Sequence, residues 1–154
     1  KLEITKEHGA AHVVNYRTGS IRDEVLNLTG GRGADVVYDP VGGDAFAQAV
    51  RCINWNGRML VVGFASGEIP QLAVNRVLLK GCQVVGVFWG ASLGREPKTN
   101  RENFRELFAW FETGRLRPHI SRVFPLEKAA RALDRLRERK AVGKVVLSVN
   151  HPAG

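Results

Sequence analysis

The residues best placed to do chemistry in this 154-residue chain lie in one stretch, Ala34-Asp-Val-Val-Tyr-Asp-Pro-Val-Gly-Gly43. Val36, Val37 and Tyr38 form a short β-rich run. Pro40 has no N–H to give a ladder, so the strand stops there. Gly42 and Gly43 allow a sharp turn and a close approach by a ligand. A helical pattern follows at once, with Phe46, Ala49, Val50 and Ile53 on one face. Strand, tight turn and helix make half of a βαβ unit, and open α/β sheets bind ligands at the carboxyl ends of their strands. No acid–base dyad or nucleophile–base pair appears elsewhere. His8, His12, His119 and His151 are isolated, and no metal-ligand spacing links them to Cys52 or Cys82. No catalytic residue and no metal is therefore expected within the chain. Both cysteines sit in apolar surroundings and read as reduced core residues of a cytoplasmic protein.

The elements that must position this turn follow in order. Residues 1–8 read as the end of a helix, with Gly9 suited to the left-handed residue after it. His12 to Tyr16 reads as a strand. Ser20 caps a helix with Asp23 at the capping-box position, and Ile21, Val25 and Leu28 form its apolar face. After the central strand and its helix comes an Asn56-Gly57 turn. Arg58 to Val62 is a near-continuous apolar strand, as a parallel sheet covered on both faces requires. Gly63 to Gly67 is a loop, Val74 to Lys80 a helix stopped by Gly81, and Cys82 to Trp89 another strand. Alternating strands and helices with short loops point to a doubly wound parallel α/β sheet.

Gly90 to Asn100 reads as a loop. Thr99 and Glu102 suggest a second capping box, before a helix with Phe104, Leu107, Phe108 and Phe111 facing a core. Gly114 closes it, and residues 115–124 are irregular to extended. Pro125 opens a further helix with Leu126, Ala129, Ala130, Leu133 and Leu136 inward. Gly143 launches a last strand, Lys144 to Val149. The natural division is 1–114 and 115–154.

Hydrophobic residues are 44% and charged residues 25%, ordinary for a globular protein. No apolar run approaches the ~20 residues of a membrane span. The charge of +8 raises nucleic acid or a phosphate ligand as partners. The cations are scattered among acidic neighbours, however, which favours a solvated surface and no nucleic acid. The chain starts without Met, inside a helical pattern, so a fragment is expected.

Six stretches together resemble the C-terminal part of a medium-chain dehydrogenase/reductase, in its zinc-independent quinone oxidoreductase branch. They are residues 12–17, 34–43, 57–63, 81–86, 124–127 and 143–147, and they run in the order and spacing of that family. The resemblance implies a partial Rossmann-type doubly wound sheet whose first two strands are missing. It also implies a C-terminal helix and strand that return to a GroES-like catalytic domain. The family's glycine-rich phosphate turn is absent from the sequence, so any cofactor site in it is partial.

By position, the resemblance assigns cofactor contacts. Tyr16 matches a residue against the adenosine end. Lys1, fifteen residues earlier, stands where relatives that prefer NADP(H) carry a lysine for the 2′-phosphate. Val41 and Gly42 match the wall near the adenosine. Gly63, Phe64, Ala65 and Ser66 match the loop on the nicotinamide side, and Phe88 and Trp89 the next wall. Arg139 matches a basic position near the cofactor. Ordinary packing or solvation is the plain alternative for each.

The implied activity is NADPH-dependent hydride transfer to a small quinone or enone-type substrate. Zinc-type alcohol dehydrogenase, polyketide-type enoyl reductase and a non-catalytic dimerisation or nucleotide-binding module are the alternatives. The resemblance further implies a homodimer through the Cys82–Trp89 edge, with Val84, Val85 and Val87 near the contact. With two strands missing, the isolated chain is expected neither to complete the sheet nor to bind the dinucleotide tightly.

Overall fold

The computed structural model describes residues 1–149. The chain forms two compact units, Lys1–Glu96 and Pro97–Gly154. The division expected at residue 114 falls inside the second, just beyond its first helix.

The first unit is built on three parallel strands, β1 (Ala34–Asp39), β2 (Ile53–Val61) and β3 (Gln83–Gly86), adjacent in that order. Helices α1 (Leu2–Glu7) and α2 (Ile21–Leu28) precede them. Helix α3 (Gly43–Arg51) connects β1 to β2, α4 (Val74–Lys80) connects β2 to β3, and α5 (Trp89–Arg95) follows. This is the expected parallel α/β arrangement.

Helix α3 exists because Phe46, Ala49 and Val50 recur at helical spacing. They bury that face with Ile53 and Met59 against Val37, Val61, Leu72 and Cys82. Met59 is 0% exposed, and burying such a side chain contributes about 1.5–3 kcal/mol. Ser20 caps α2 as expected, its hydroxyl accepting from the Asp23 N–H at 3.2 Å. Gly81 ends α4 in the left-handed conformation, φ 55°.

Several expectations fail here for identifiable reasons. His12 to Tyr16 is not a strand: Tyr16 lies in a turn, and among the described residues no strand pairs with the segment. β-forming residues make a strand only where a neighbour offers a ladder. Asn56-Gly57 is not a turn between elements but an irregularity inside β2, where the register to β1 shifts. Asn56 takes φ 59°, and a Cβ on Gly57 would lie 2.7 Å from Ile53 Cγ1. The strand expected to reach Trp89 ends at Gly86 because its partner β2 ends at Val61, the residue it faces. Trp89 instead begins α5.

In the second unit, α6 (Pro97–Glu112) precedes β4 (Ile120–Pro125), a 3₁₀ turn (Leu126–Lys128), α7 (Ala129–Arg137) and β5 (Lys144–Ser148), with β4 and β5 parallel. Residues 90–100 are thus largely helical rather than a loop. Pro97 occupies the first helical position, where its fixed φ suits it, and Thr99 lies inside α6 instead of capping it. Pro125 pairs with Ser148 at the end of β4 and is also the N-cap of the 3₁₀ turn that leads into α7, which itself starts only at Ala129. Neither expected apolar face is buried. Phe108 and Phe111 are 62% and 58% exposed, and Leu133 is 65% exposed. α7 meets β4 and β5 through a narrow side on which Ala132 is the buried residue. Two strands offer too little surface for the rest.

Two glycines between α2 and β1 provide a test. Gly31 and Gly33 both have positive φ, 84° and 92°. A Cβ on Gly31 would meet open space, whereas one on Gly33 would collide with the Cys52 carbonyl and lie 3.2 Å from the Asn54 nitrogen. Gly31→Ala should cost about 1–2 kcal/mol of backbone strain. Gly33→Ala should add about 1–3 kcal/mol of overpacking. Urea midpoints check this; equal losses would refute it.

Candidate functional site

The site begins where β1 stops. Asp39 is buried, 6% exposed, and its carboxylate folds back over the following turn. Its Oδ1 accepts from the Val41 N–H at 2.8 Å and the Gly42 N–H at 3.0 Å, and Oδ2 lies 3.2 Å from the same Gly42 nitrogen. These charge-assisted bonds hold the Pro40-Val41-Gly42 turn. Gly42 has φ 74°, and a Cβ there would come within 2.8 Å of the Glu68 carbonyl. Here glycine is required twice over, by conformation and by space.

The turn is laced to the loop after β2 by main-chain bonds. The Asp39 carbonyl accepts from the Val62 and Gly63 amides at 3.0 and 3.3 Å. The Pro40 carbonyl accepts from Ala65 at 3.0 Å and that of Val41 from Ser66 at 2.9 Å, while the Gly43 amide donates to the Glu68 carbonyl at 3.2 Å. The Ser66 hydroxyl accepts from the Glu68 N–H at 3.2 Å, tightening the loop. The result is a ledge of satisfied backbone from which apolar side chains project. Val41 and Phe64 are 38% and 40% exposed. The third strand joins through the Val87 amide, 2.8 Å from the Val61 carbonyl. Past it, Phe88 and Trp89 line a shallow cavity of about 360 Å³ with Ser92 and Arg95.

The structure thus gathers Val41, Gly42, Gly63, Phe64, Ala65 and Ser66 into one ledge and puts Phe88 and Trp89 just past the neighbouring strand. Tyr16 and Lys1 are not tied to the ledge by any described hydrogen bond. Tyr16 is exposed in its own turn, and the Lys1 carbonyl accepts from the Thr5 amide and hydroxyl at the start of α1. Arg139 belongs to the second unit, where it takes φ 55° as α7 closes. Asp39 was missed as a site residue, although an Asp before Pro-x-Gly signals an Asx-type turn. Glu68 carried no signal, since its part is played by its main chain.

The cysteines stay with the core. Burial pushes the Cys52 thiol above its ordinary pKa, and its Sγ lies 3.4 Å from the Ala49 carbonyl. Among the described residues no three His, Cys, Asp or Glu side chains come together as metal ligands. His151 lies outside them.

With three strand ends and their laced loops in place, residues 8–147 match the family model described as zinc-binding dehydrogenase. The chain belongs to that family. Within it, the likeness is to the quinone oxidoreductase branch of the medium-chain dehydrogenases/reductases. A quinone oxidoreductase-like protein 2 homolog of Nematostella vectensis is 44% identical over 149 residues, covering 96% of this chain and 41% of the relative. The structure of Escherichia coli quinone oxidoreductase complexed with NADPH superposes with TM-score 0.81 at 28% identity, covering 95% of this chain and 45% of that one. A structure described as an NAD-dependent alcohol dehydrogenase gives 0.82 at 31% identity, over 97% and 41%. The chain spans less than half the length of these relatives.

Replacing Asp39 tests the ledge. Asp39→Ala leaves the Val41 and Gly42 amides without their acceptor, at about 1–3 kcal/mol per buried group. Asp39→Asn keeps one oxygen facing both. Thermal melts and amide exchange at Val41 and Gly42 should show a large loss for alanine and a smaller one for asparagine. Exchange unchanged in Asp39→Ala would show that the carboxylate does not hold the turn.

Proposed function

We propose that this chain is the C-terminal part of an NADPH-dependent, cytoplasmic oxidoreductase that passes hydride to a small quinone or enone-type substrate. The observation that carries the reading is the backbone-laced ledge at the carboxyl ends of β1 and β2, with exposed Val41 and Phe64 on its lip. Family membership supports it, as does the likeness to a quinone oxidoreductase solved with NADPH.

The ledge fits one side of a dinucleotide. Its main-chain groups are already paired, so a flat ring can lie on the apolar lip without stranding a buried donor. Val41 and Gly42 would face the adenosine side and Gly63 to Ser66 the nicotinamide side, with Phe88 and Trp89 forming the next wall. The cofactor, when bound, supplies the hydride chemistry. The chain's own residues bind, orient and exclude water. Lys1 would meet the 2′-phosphate and Tyr16 the adenosine end. A second reading, an NAD-dependent alcohol dehydrogenase, draws on the other structural likeness.

The same reading makes the edge of β3 away from β2, unpaired among the described residues, a pairing surface. Val84 is 41% exposed on that strand, and an open apolar edge is normally paired or covered. A twofold mate would extend the sheet through Val84, Val85 and Val87.

Two measurements on the full-length protein check these assignments. Lys1→Ala should weaken NADPH far more than NADH, since a charge-assisted contact is worth about 1.5–3 kcal/mol. Equal weakening of both would exclude the 2′-phosphate role. Light scattering at micromolar concentration should give a dimer, and Val84→Lys should shift it towards monomer; a monomeric parent protein would sink the edge-pairing assignment.

A further inference from the structure

The helical layer of the first unit holds a second cavity, about 370 Å³, lined by Arg22, Val50, Arg51, Arg76, Leu79 and Lys80. None of these residues belongs to the ledge. Three helices build it. Arg22 comes from the first turn of α2, Val50 and Arg51 from the last turn of α3, and the other three from α4. Apolar surface is supplied by Val50, which is buried, and by Leu79, which is exposed. Every other lining residue is a cation, and no carboxylate lines the cavity.

Two of the cations are already engaged. Arg22 pairs with Asp23 at 2.6 Å, and Lys80 Nζ donates to the Arg51 carbonyl at 2.8 Å. The guanidinium groups of Arg51 and Arg76 have no ion-pair partner among the described residues. A neighbouring polar cavity of about 520 Å³ shares Arg22 and Arg51 and adds Arg17, Thr18 and Ser20. Of its two carboxylates, Asp23 pairs with Arg22, and Asp44 accepts from the Gln48 amide at 2.6 Å and keeps its charge.

Like charges gathered around one cavity repel, and an anion held between them relieves that cost. A bare anion would leave the apolar wall of Val50 and Leu79 unused. A neutral apolar ligand would cover guanidinium groups without pairing them. One ligand class answers both demands. We infer that this cavity binds a free single-chain anionic amphiphile, its phosphate or carboxylate head between Arg51 and Arg76 and its alkyl tail along Val50 and Leu79. Arginine suits the head, because its planar fork matches phosphate and carboxylate oxygens. Three helices converge on this open crevice, and its volume of about 370 Å³ matches one single-chain molecule.

Calorimetry on the intact protein tests this with decyl phosphate below its micelle concentration. Decyl phosphate should bind at least about tenfold more tightly than inorganic phosphate, because only it uses the apolar wall. Arg51→Ala/Arg76→Ala should weaken it by about tenfold or more, and Leu79→Ser should weaken decyl phosphate while leaving inorganic phosphate unchanged. All three side chains are exposed, so the fold should survive, and circular dichroism melts confirm that for each variant. Arg76→Gln replaces the double variant if that one melts early. Inorganic phosphate binding as tightly as decyl phosphate would overturn the inference. So would unchanged affinity in folded arginine variants, no binding at millimolar decyl phosphate, or binding only to vesicles containing anionic lipid.

Discussion

The first unit depends on a buried carboxylate. Asp39 ends β1 and turns its oxygens onto the Val41 and Gly42 amides, so the chain reverses at Pro40 without stranding a buried donor. Its own carbonyl takes the Val62 and Gly63 amides from the next strand end. One residue thus closes the first strand, shapes the turn and fastens the second. Helix α3 can start at Gly43 only because that turn delivers the backbone there, and its Phe46, Ala49 and Val50 then cover Met59. Core and ledge are two faces of one constraint.

Much of the fold was legible because its signals are local. Ser20 three residues before Asp23, and Gly81 after Lys80, mark helix ends by capping chemistry that needs no distant partner. What failed depended on something non-local. His12 to Tyr16 has strand-forming residues but no ladder to join. Cys82 to Trp89 has them too, yet β3 can be no longer than the stretch of β2 beside it. The stripe of Phe104, Leu107, Phe108 and Phe111 correctly announced a helix and an apolar face, but periodicity does not say how deeply that face will be buried, and Phe108 and Phe111 stay exposed.

The site was legible to a different degree. Composition and spacing singled out the 34–43 turn and little more. Val41, Gly42 and Gly63 to Ser66 became site residues through resemblance, and the structure brings those six into one ledge. Lys1, Tyr16 and Arg139 rest on the resemblance alone. The buried Asp39 went unassigned although Asp before Pro-x-Gly is an Asx-turn signal, because such a signal announces a turn and not its burial beside a site.

The turn after β1 and the loop after β2 are fastened to each other by main-chain groups. The bonds from Ala65 and Ser66 to Pro40 and Val41 use amides and carbonyls that every residue type supplies, apart from proline's missing N–H. The side chains at 41, 64 and 65 are therefore uncoupled from the job of holding the scaffold. An evolving lineage can rewrite them one at a time, trading a valine for something larger or a phenylalanine for something polar, while the platform beneath keeps its shape. Such a separation of frame from lining is how one fold comes to serve many chemically different guests.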